Sequence, residues 1–74
     1  MRTILVSILP AAGGWELDCD LPVETTYFRS GGRAEEAARN LAVRLIGEGN
    51  DVKLVVHDRS AQPVATIVLP SATA

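Results

Sequence analysis

Alternating apolar and polar positions predict two strands in the first third of the chain. Residues 3–9 are rich in β-branched side chains, and Ile4, Val6 and Ile8 share one face at a period of two. Over residues 15–20 the alternation is strict, because three apolar side chains point one way and three carboxylates point the other way. Turn-forming residues separate the two segments, so we expect an antiparallel hairpin with one buried face.

A short apolar segment and one long helix follow this hairpin. Residues 25–28 all favour strands and can form a short third strand. Residues 30–49 have the spacing of an amphipathic helix, with Ser30 or a following glycine as the N-cap and with Gly47 and Gly49 at the C-terminal stop. The apolar stripe of the helix is mostly alanine and consists of Ala34, Ala37, Ala38, Leu41, Ala42 and Leu45. Side chains this small let the helix lie close against a sheet.

Two more strands complete the predicted fold. Residues 52–57 alternate in polarity, residues 58–62 have turn composition, and Pro63 is acceptable as the first residue of a strand that runs to Leu69. The order ββ(β)αββ predicts a two-layer α+β domain. Its antiparallel sheet has four strands, or five if residues 25–28 contribute one, and the single helix packs on one face.

Length and composition set limits on the function. We expect a single domain over residues 1–70 and a frayed tail over residues 71–74. The net charge is −2 with one lysine and six arginines, which disfavours strong non-specific binding to nucleic acid. The one cysteine, Cys19, excludes an internal disulfide and a zinc site of paired cysteines. With no signal peptide or apolar run of membrane-spanning length in the sequence, we expect a cytoplasmic protein that does not enter a membrane.

The string His57-Asp58-Arg59-Ser60 has the residue types of a reacting cluster, but its members are adjacent in sequence. Residues that act together in catalysis normally converge from separate segments, whereas aspartate and serine are typical of turns. We therefore predict a hairpin connection, no catalytic residues and no enzymatic activity.

No metal or other cofactor is expected. The chain has one histidine, and successive carboxylates of Glu16, Asp18 and Asp20 would be about 7 Å apart along a strand, which is too far for one ion. The candidate anion or partner contact is the segment of Arg29, Ser30, Gly31, Gly32 and Arg33. Two glycines at a helix start expose N–H groups that favour an anion, although the same residues can simply form a cap with solvated arginines.

Parts of the chain resemble the HicB-type antitoxin domain, a small bacterial module. The matching residues are Gly13, Gly14, Trp15, Asp20, Leu21, Pro22, Glu35, Glu36, Ala37 and Asn40. The chain departs from that family's pattern at Val23, where a glycine is usual, and in a longer stretch between the two matched parts. The resemblance implies a protein that binds and blocks a small ribonuclease toxin. The layout also resembles small bacterial domains of unknown function. Short acidic inhibitors encoded by phages are a related possibility, since they too act by covering the surface of a partner protein.

One helix can cover only one face of the sheet, and the last strand has apolar residues on both faces. The residues expected to remain for a dimer or partner surface are Leu5, Val55, Val64, Ile67, Leu69 and Val43. Such apolar patches mark interaction surfaces more often than not. We therefore predict a homodimer that packs through the uncovered sheet face or the edge of the last strand, and a protein partner as the other occupant. The sequence favours a regulator or inhibitor that covers another protein's surface. The alternative is a nucleic-acid-associated regulator that uses the arginines around the helix N-terminus.

Overall fold

A computed structural model describes residues 3–20 and 25–71 of the chain. The elements are β1 (Thr3–Ala11), β2 (Gly14–Cys19), β3 (Thr26–Phe28), α1 (Gly31–Gly47), β4 (Asp51–His57) and β5 (Pro63–Leu69). The α+β class, the single helix and the predicted order of elements are confirmed. The short segment before the helix is indeed a strand, so the sheet has five strands.

The sheet has the strand order β3-β2-β1-β4-β5. The pairs β1–β2, β2–β3 and β4–β5 are antiparallel, whereas β1 and β4 are parallel. The sequence predicted an antiparallel sheet, and this part of the prediction is wrong. The sheet is mixed, because β1 and β4 are parallel. After β3 the chain crosses one face of the sheet through α1, and this crossover brings β4 in beside β1 in the same direction.

The core lies between α1 and one face of the sheet. It consists of Ile4, Val6, Ile8, Ala34, Ala38, Ala42, Leu45, Val52 and Leu54. The strand residues come from one face of the two central strands, since Ile4 pairs with Val52 and Val6 pairs with Leu54. The predicted alanine stripe faces them, and alanine lets the helix backbone approach closely.

Both ends of α1 are capped by the chain itself. The Ser30 hydroxyl accepts a hydrogen bond from the Arg33 backbone N–H at 3.1 Å, as expected of an N-cap serine. At the other end Gly49 has a φ of +92°, and the N–H of Asn50 donates to the Leu45 carbonyl. This is a Schellman arrangement, which satisfies carbonyls that the helix leaves unpaired. Gly47 is the last residue of the helix, and Gly49 adopts the left-handed backbone conformation that ends it.

The described end of the chain is held against the sheet. The N–H of Ser71 donates to the Asp51 carboxylate at 2.6 Å. Residues 72–74 of the expected tail lie outside the described residues, as do residues 1–2 at the other end. In the part of the chain that the structure describes, α1 is too short and too polar to cross a bilayer.

Candidate functional interface

No element of the described residues, 3–20 and 25–71, covers the sheet face away from α1. Strand register decides which side chains share it, because directly paired residues lie on the same face. Ser7 of β1 pairs with Asp18 of β2 and with Val55 of β4, which places these three at its centre. We call this surface the open face; it carries Leu5, Ser7, Leu9, Glu16, Asp18, Tyr27, Lys53, Val55, His57, Thr66 and Val68.

One half of the open face is acidic. Glu16 and Asp18 are two residues apart on β2, so their carboxyl groups point the same way. A hydrogen bond with the Asp18 side chain, together with the repulsion between the two charges, raises the pKa of Glu16 above its ordinary value. The Thr25 hydroxyl donates to Asp18 at 2.8 Å. The two carboxyls thus lie near enough to interact on the exposed side of β2.

A third carboxylate extends this acidic strip along β1. The Asp20 carboxylate accepts a hydrogen bond from the Leu5 backbone N–H at 3.1 Å, and the Asp20 N–H donates to the Leu5 carbonyl at 3.1 Å. Together with Ser7, Leu9 and Asp18, these two residues line a shallow depression. Apolar side chains of β1 therefore lie directly beside fixed negative charges.

The structure divides the six residues of the predicted partner surface among four places. Leu5 and Val55 lie on the open face. Ile67 and Leu69 are opposite Leu54 and Val52 and therefore lie on the helix side of the sheet.

The other two predicted residues lie elsewhere. Val64 is the extra residue where the β4–β5 register shifts, in a β-bulge beside Val56 and His57. Val43 is 69% exposed on the outer side of α1. The predicted set is thus not one continuous surface.

The arginine and glycine segment forms the N-terminus of α1, which begins at Gly31. Ser30 is the N-cap, and a Cβ added to Gly31 would lie 3.4 Å from the indole ring of Trp15, in ordinary van der Waals contact. Arg29 and Arg33 are exposed on either side of this cap, and Gly32 faces open space. The segment therefore presents two solvated guanidinium groups beside a cap that Ser30 already occupies.

The predicted turn between β4 and β5 is confirmed. The Asp58 carboxylate accepts the backbone N–H groups of Ser60 at 2.8 Å and Gln62 at 3.1 Å, and Ala61 adopts a φ of +61°. Arg59 reaches back to stack on Trp15, with its guanidinium carbon 4.8 Å from the ring centroid. Asp58, Arg59 and Ser60 are thus used in turn formation and packing.

His57 is held separately from these turn residues. Its Nδ1 lies 2.9 Å from the Ile8 carbonyl oxygen. Within the described residues no three His, Cys, Asp or Glu side chains converge as a metal site.

Comparison of the chain with known protein families, with curated proteins and with solved structures found no match. Leu21 and Pro22, two residues of the HicB-like pattern, lie outside the described residues. Gly14, another residue of that pattern, has a structural reason to be glycine, because an added Cβ would collide with the Phe28 carbonyl.

Two contacts in this region have no clear signal in the sequence. The alternation of residues 15–20 predicts only that Asp20 points outward, because its hydrogen bonds to Leu5 depend on strand pairing. The Arg59–Trp15 stack joins residues 44 positions apart, and periodicity contains no signal for such a contact.

Proposed function

We propose that the protein is a non-enzymatic interaction module, a small regulator or inhibitor of the antitoxin or phage-inhibitor kind. It acts in the cytoplasm by covering part of a partner protein's surface. The observation that supports this most directly is the open face, where apolar side chains lie beside a fixed acidic strip and no element of the described chain covers them. Interfaces of this kind combine an apolar centre with polar groups that set the orientation of the partner.

Charge indicates the kind of partner. Glu16, Asp18 and Asp20 give one half of the interface a negative potential, while Leu5 and Leu9 supply apolar area next to it. A surface that binds nucleic-acid phosphates is basic, so an acidic protein can occupy it by electrostatic complementarity. The partner that suits the open face best is therefore a protein with a basic, nucleic-acid-binding surface, such as a small ribonuclease.

Capture from an extract of the source cell tests this proposal if the bait carries paired substitutions. Val55→Lys puts a positive charge at the centre of the open face, where it would repel a basic partner, and Val43→Lys puts the same charge on the outer side of α1. We expect the wild type and Val43→Lys to retain the same basic protein, and Val55→Lys to lose it. Circular dichroism of the two variants ensures that both baits are folded.

Two results of the capture experiment would contradict the proposal or limit it. If Val55→Lys retains the same proteins as the wild type in the same amounts, the open face is not the contact surface. Added salt provides a second criterion, because an interface with an acidic half should weaken as ionic strength rises.

A nucleic-acid-associated role is the alternative that Arg29 and Arg33 favour, since both guanidinium groups are exposed beside the start of α1. A fluorescent oligonucleotide distinguishes the two functions. Salt-dependent binding that disappears in an Arg29→Ala, Arg33→Ala variant would support the alternative, whereas no binding at micromolar protein would exclude it.

A further inference from the structure

β5 is the least covered strand of the sheet. Six of its seven residues are exposed, and the exposed fractions of Val64, Ile67 and Val68 are 60%, 40% and 67%. Its apolar side chains occur on both faces, because Ile67 pairs with Leu54 on the helix side while Val68 pairs with Lys53 on the open face. A strand apolar on both faces is typical of the interior of a sheet, yet β5 lies at the edge.

The outer edge of β5 also lacks most of the protection that edge strands usually have. Natural edges are blocked by charged side chains, prolines or bulges. Here Pro63 and the bulge lie at one end only, and the strand contains no charged residue. The edge at the other side of the sheet is β3, which has only three residues. One long, uncharged edge with outward N–H and C=O groups is thus left along β5.

We propose that this edge pairs with the same edge of a second copy of the chain. The two β5 strands run antiparallel about a two-fold axis perpendicular to the sheet at Thr66, and the two sheets join into one of ten strands. The sequence is nearly symmetric about that residue. Val64 and Val68 are equidistant from Thr66, as are Ala65 and Ile67.

Self-pairing about Thr66 therefore brings no unfavourable pair together at the centre of the contact. Threonine comes opposite threonine, which is a favourable cross-strand pair, and alanine comes opposite isoleucine. Val68 of each strand meets the bulged end of the other strand at Val64. No like charges meet, because the strand has none. A two-fold contact between identical chains requires a surface that is complementary to itself, and the uncharged edge of β5 meets this requirement around Thr66. Pairing with a different protein would not require β5 to be complementary to itself.

The two-fold axis of this dimer is perpendicular to the sheet and therefore keeps both copies of α1 on the same side of the ten-stranded sheet. The two open faces then lie side by side on the other side of the sheet. The dimer goes beyond the function proposed above and does not depend on it, since it uses the edge of β5 and leaves the centre of each open face accessible.

Charge substitution at the two-fold axis tests the pairing. In Thr66→Glu the two carboxylates would face each other, and in Thr66→Lys the two ammonium groups would do so. We expect the wild type to sediment at micromolar concentration with twice the chain mass of 7.9 kDa, and each variant to sediment as one chain. An equimolar mixture of the two variants should recover the dimer, seen as a heterodimer by native mass spectrometry.

Val43→Glu is the matched control, because it adds a charge to an exposed residue far from β5 and should leave the dimer intact. Recovery in the mixture also shows that both Thr66 variants are folded, and circular dichroism of each alone verifies it. The proposal is overturned if the wild type sediments as one chain, if the Thr66 variants remain dimeric, or if the folded variants fail to associate when mixed.

Discussion

At the scale of single residues, Gly14 has less room for a side chain than Gly13, Gly31, Gly32 or Gly47. An added Cβ would meet the backbone carbonyl of Phe28, which belongs to the neighbouring strand and cannot rotate away as a side chain would. Gly32 is the opposite case, since nothing lies within 4 Å of an added Cβ and its backbone is helical. The two glycines differ in the space around them.

The first prediction follows from this difference. Gly14→Ala should lower the free energy of unfolding by at least about 2 kcal/mol, because β2 and β3 must separate to admit the methyl group. Gly32→Ala should raise it by about 0.5–1 kcal/mol, because alanine is the better helix former and restricts the unfolded chain. Urea denaturation of both variants measures these changes. Equal effects at the two sites would contradict the packing described for Gly14.

The second prediction concerns the carboxyl pair on β2. Asp18→Asn should lower the pKa of Glu16 toward its ordinary value, because the negative neighbour is removed while the amide oxygen can still accept the Thr25 hydroxyl. A titration of the Glu16 side chain followed by NMR measures the change. If the Glu16 pKa in the wild type is not raised, or is unaffected by Asp18→Asn, the two groups are not in contact.

The sign of the effect on stability is fixed by linkage. The pKa of Glu16 is raised above 4.5 in the folded protein, so between pH 4.5 and the raised pKa the folded state binds more protons than the unfolded state. Glu16 therefore contributes stability below pH 4.5. This contribution is lost as the pH rises from 4.5 through the raised pKa. In Asp18→Asn this part of the pH dependence should be weaker.

At the scale of secondary-structure elements, the β4–β5 turn is organised by one side chain. Asp58 accepts two backbone N–H groups, whereas Ser60 contributes its own N–H to one of those bonds. Asp58→Ala should therefore lower the free energy of unfolding by about 1–2 kcal/mol, and Ser60→Ala by less than about 0.5 kcal/mol. Thermal unfolding of the two variants measures this ratio. Equal losses would indicate that the turn is held in some other way.

Element types and their buried faces could be predicted from the sequence because each depends on a local period. Period two assigned Ile4, Val6 and Ile8 to one face, and a period near 3.6 assigned Ala34, Ala38 and Ala42 to the helix stripe. In both cases the structure buries the assigned side chains. Local chemistry was equally informative at Ser30 and at Gly49, where a cap and a positive φ have recognisable residue preferences.

The pairing of the strands and the exposure of their side chains could not be predicted from periodicity. Periodicity does not say which strands pair, so the parallel β1–β4 ladder was missed. An apolar run such as residues 64–69 has the same pattern in a buried central strand and at an edge, and only the strand order shows that β5 is at the edge. For the same reason the six predicted partner-surface residues are divided between the open face, the helix side of β5, a bulge and the outer side of α1.

At the scale of the whole molecule, the two proposed associations use different surfaces of the domain. The edge of β5 is uncharged and nearly symmetric, which suits a second copy. The open face carries Glu16 and Asp18 on its β2 side and Val55, Val68 and Lys53 on its β4–β5 side, and it is the surface proposed for a basic protein of another kind. Small domains bury a modest share of their surface and often depend on association for stability. Pairing at the edge would leave the centre of each open face accessible to the other partner.

The measurement that tests the central claim most directly is site-specific photo-crosslinking in the source cell. Ser7 lies at the centre of the open face, between Asp18 and Val55, and Arg39 is exposed on α1. A photoreactive residue at position 7 should give an adduct with a different, basic protein, and the same residue at position 39 should give none. Adducts at position 39 alone, or the same background at both positions, would contradict the assignment of the open face as the binding surface.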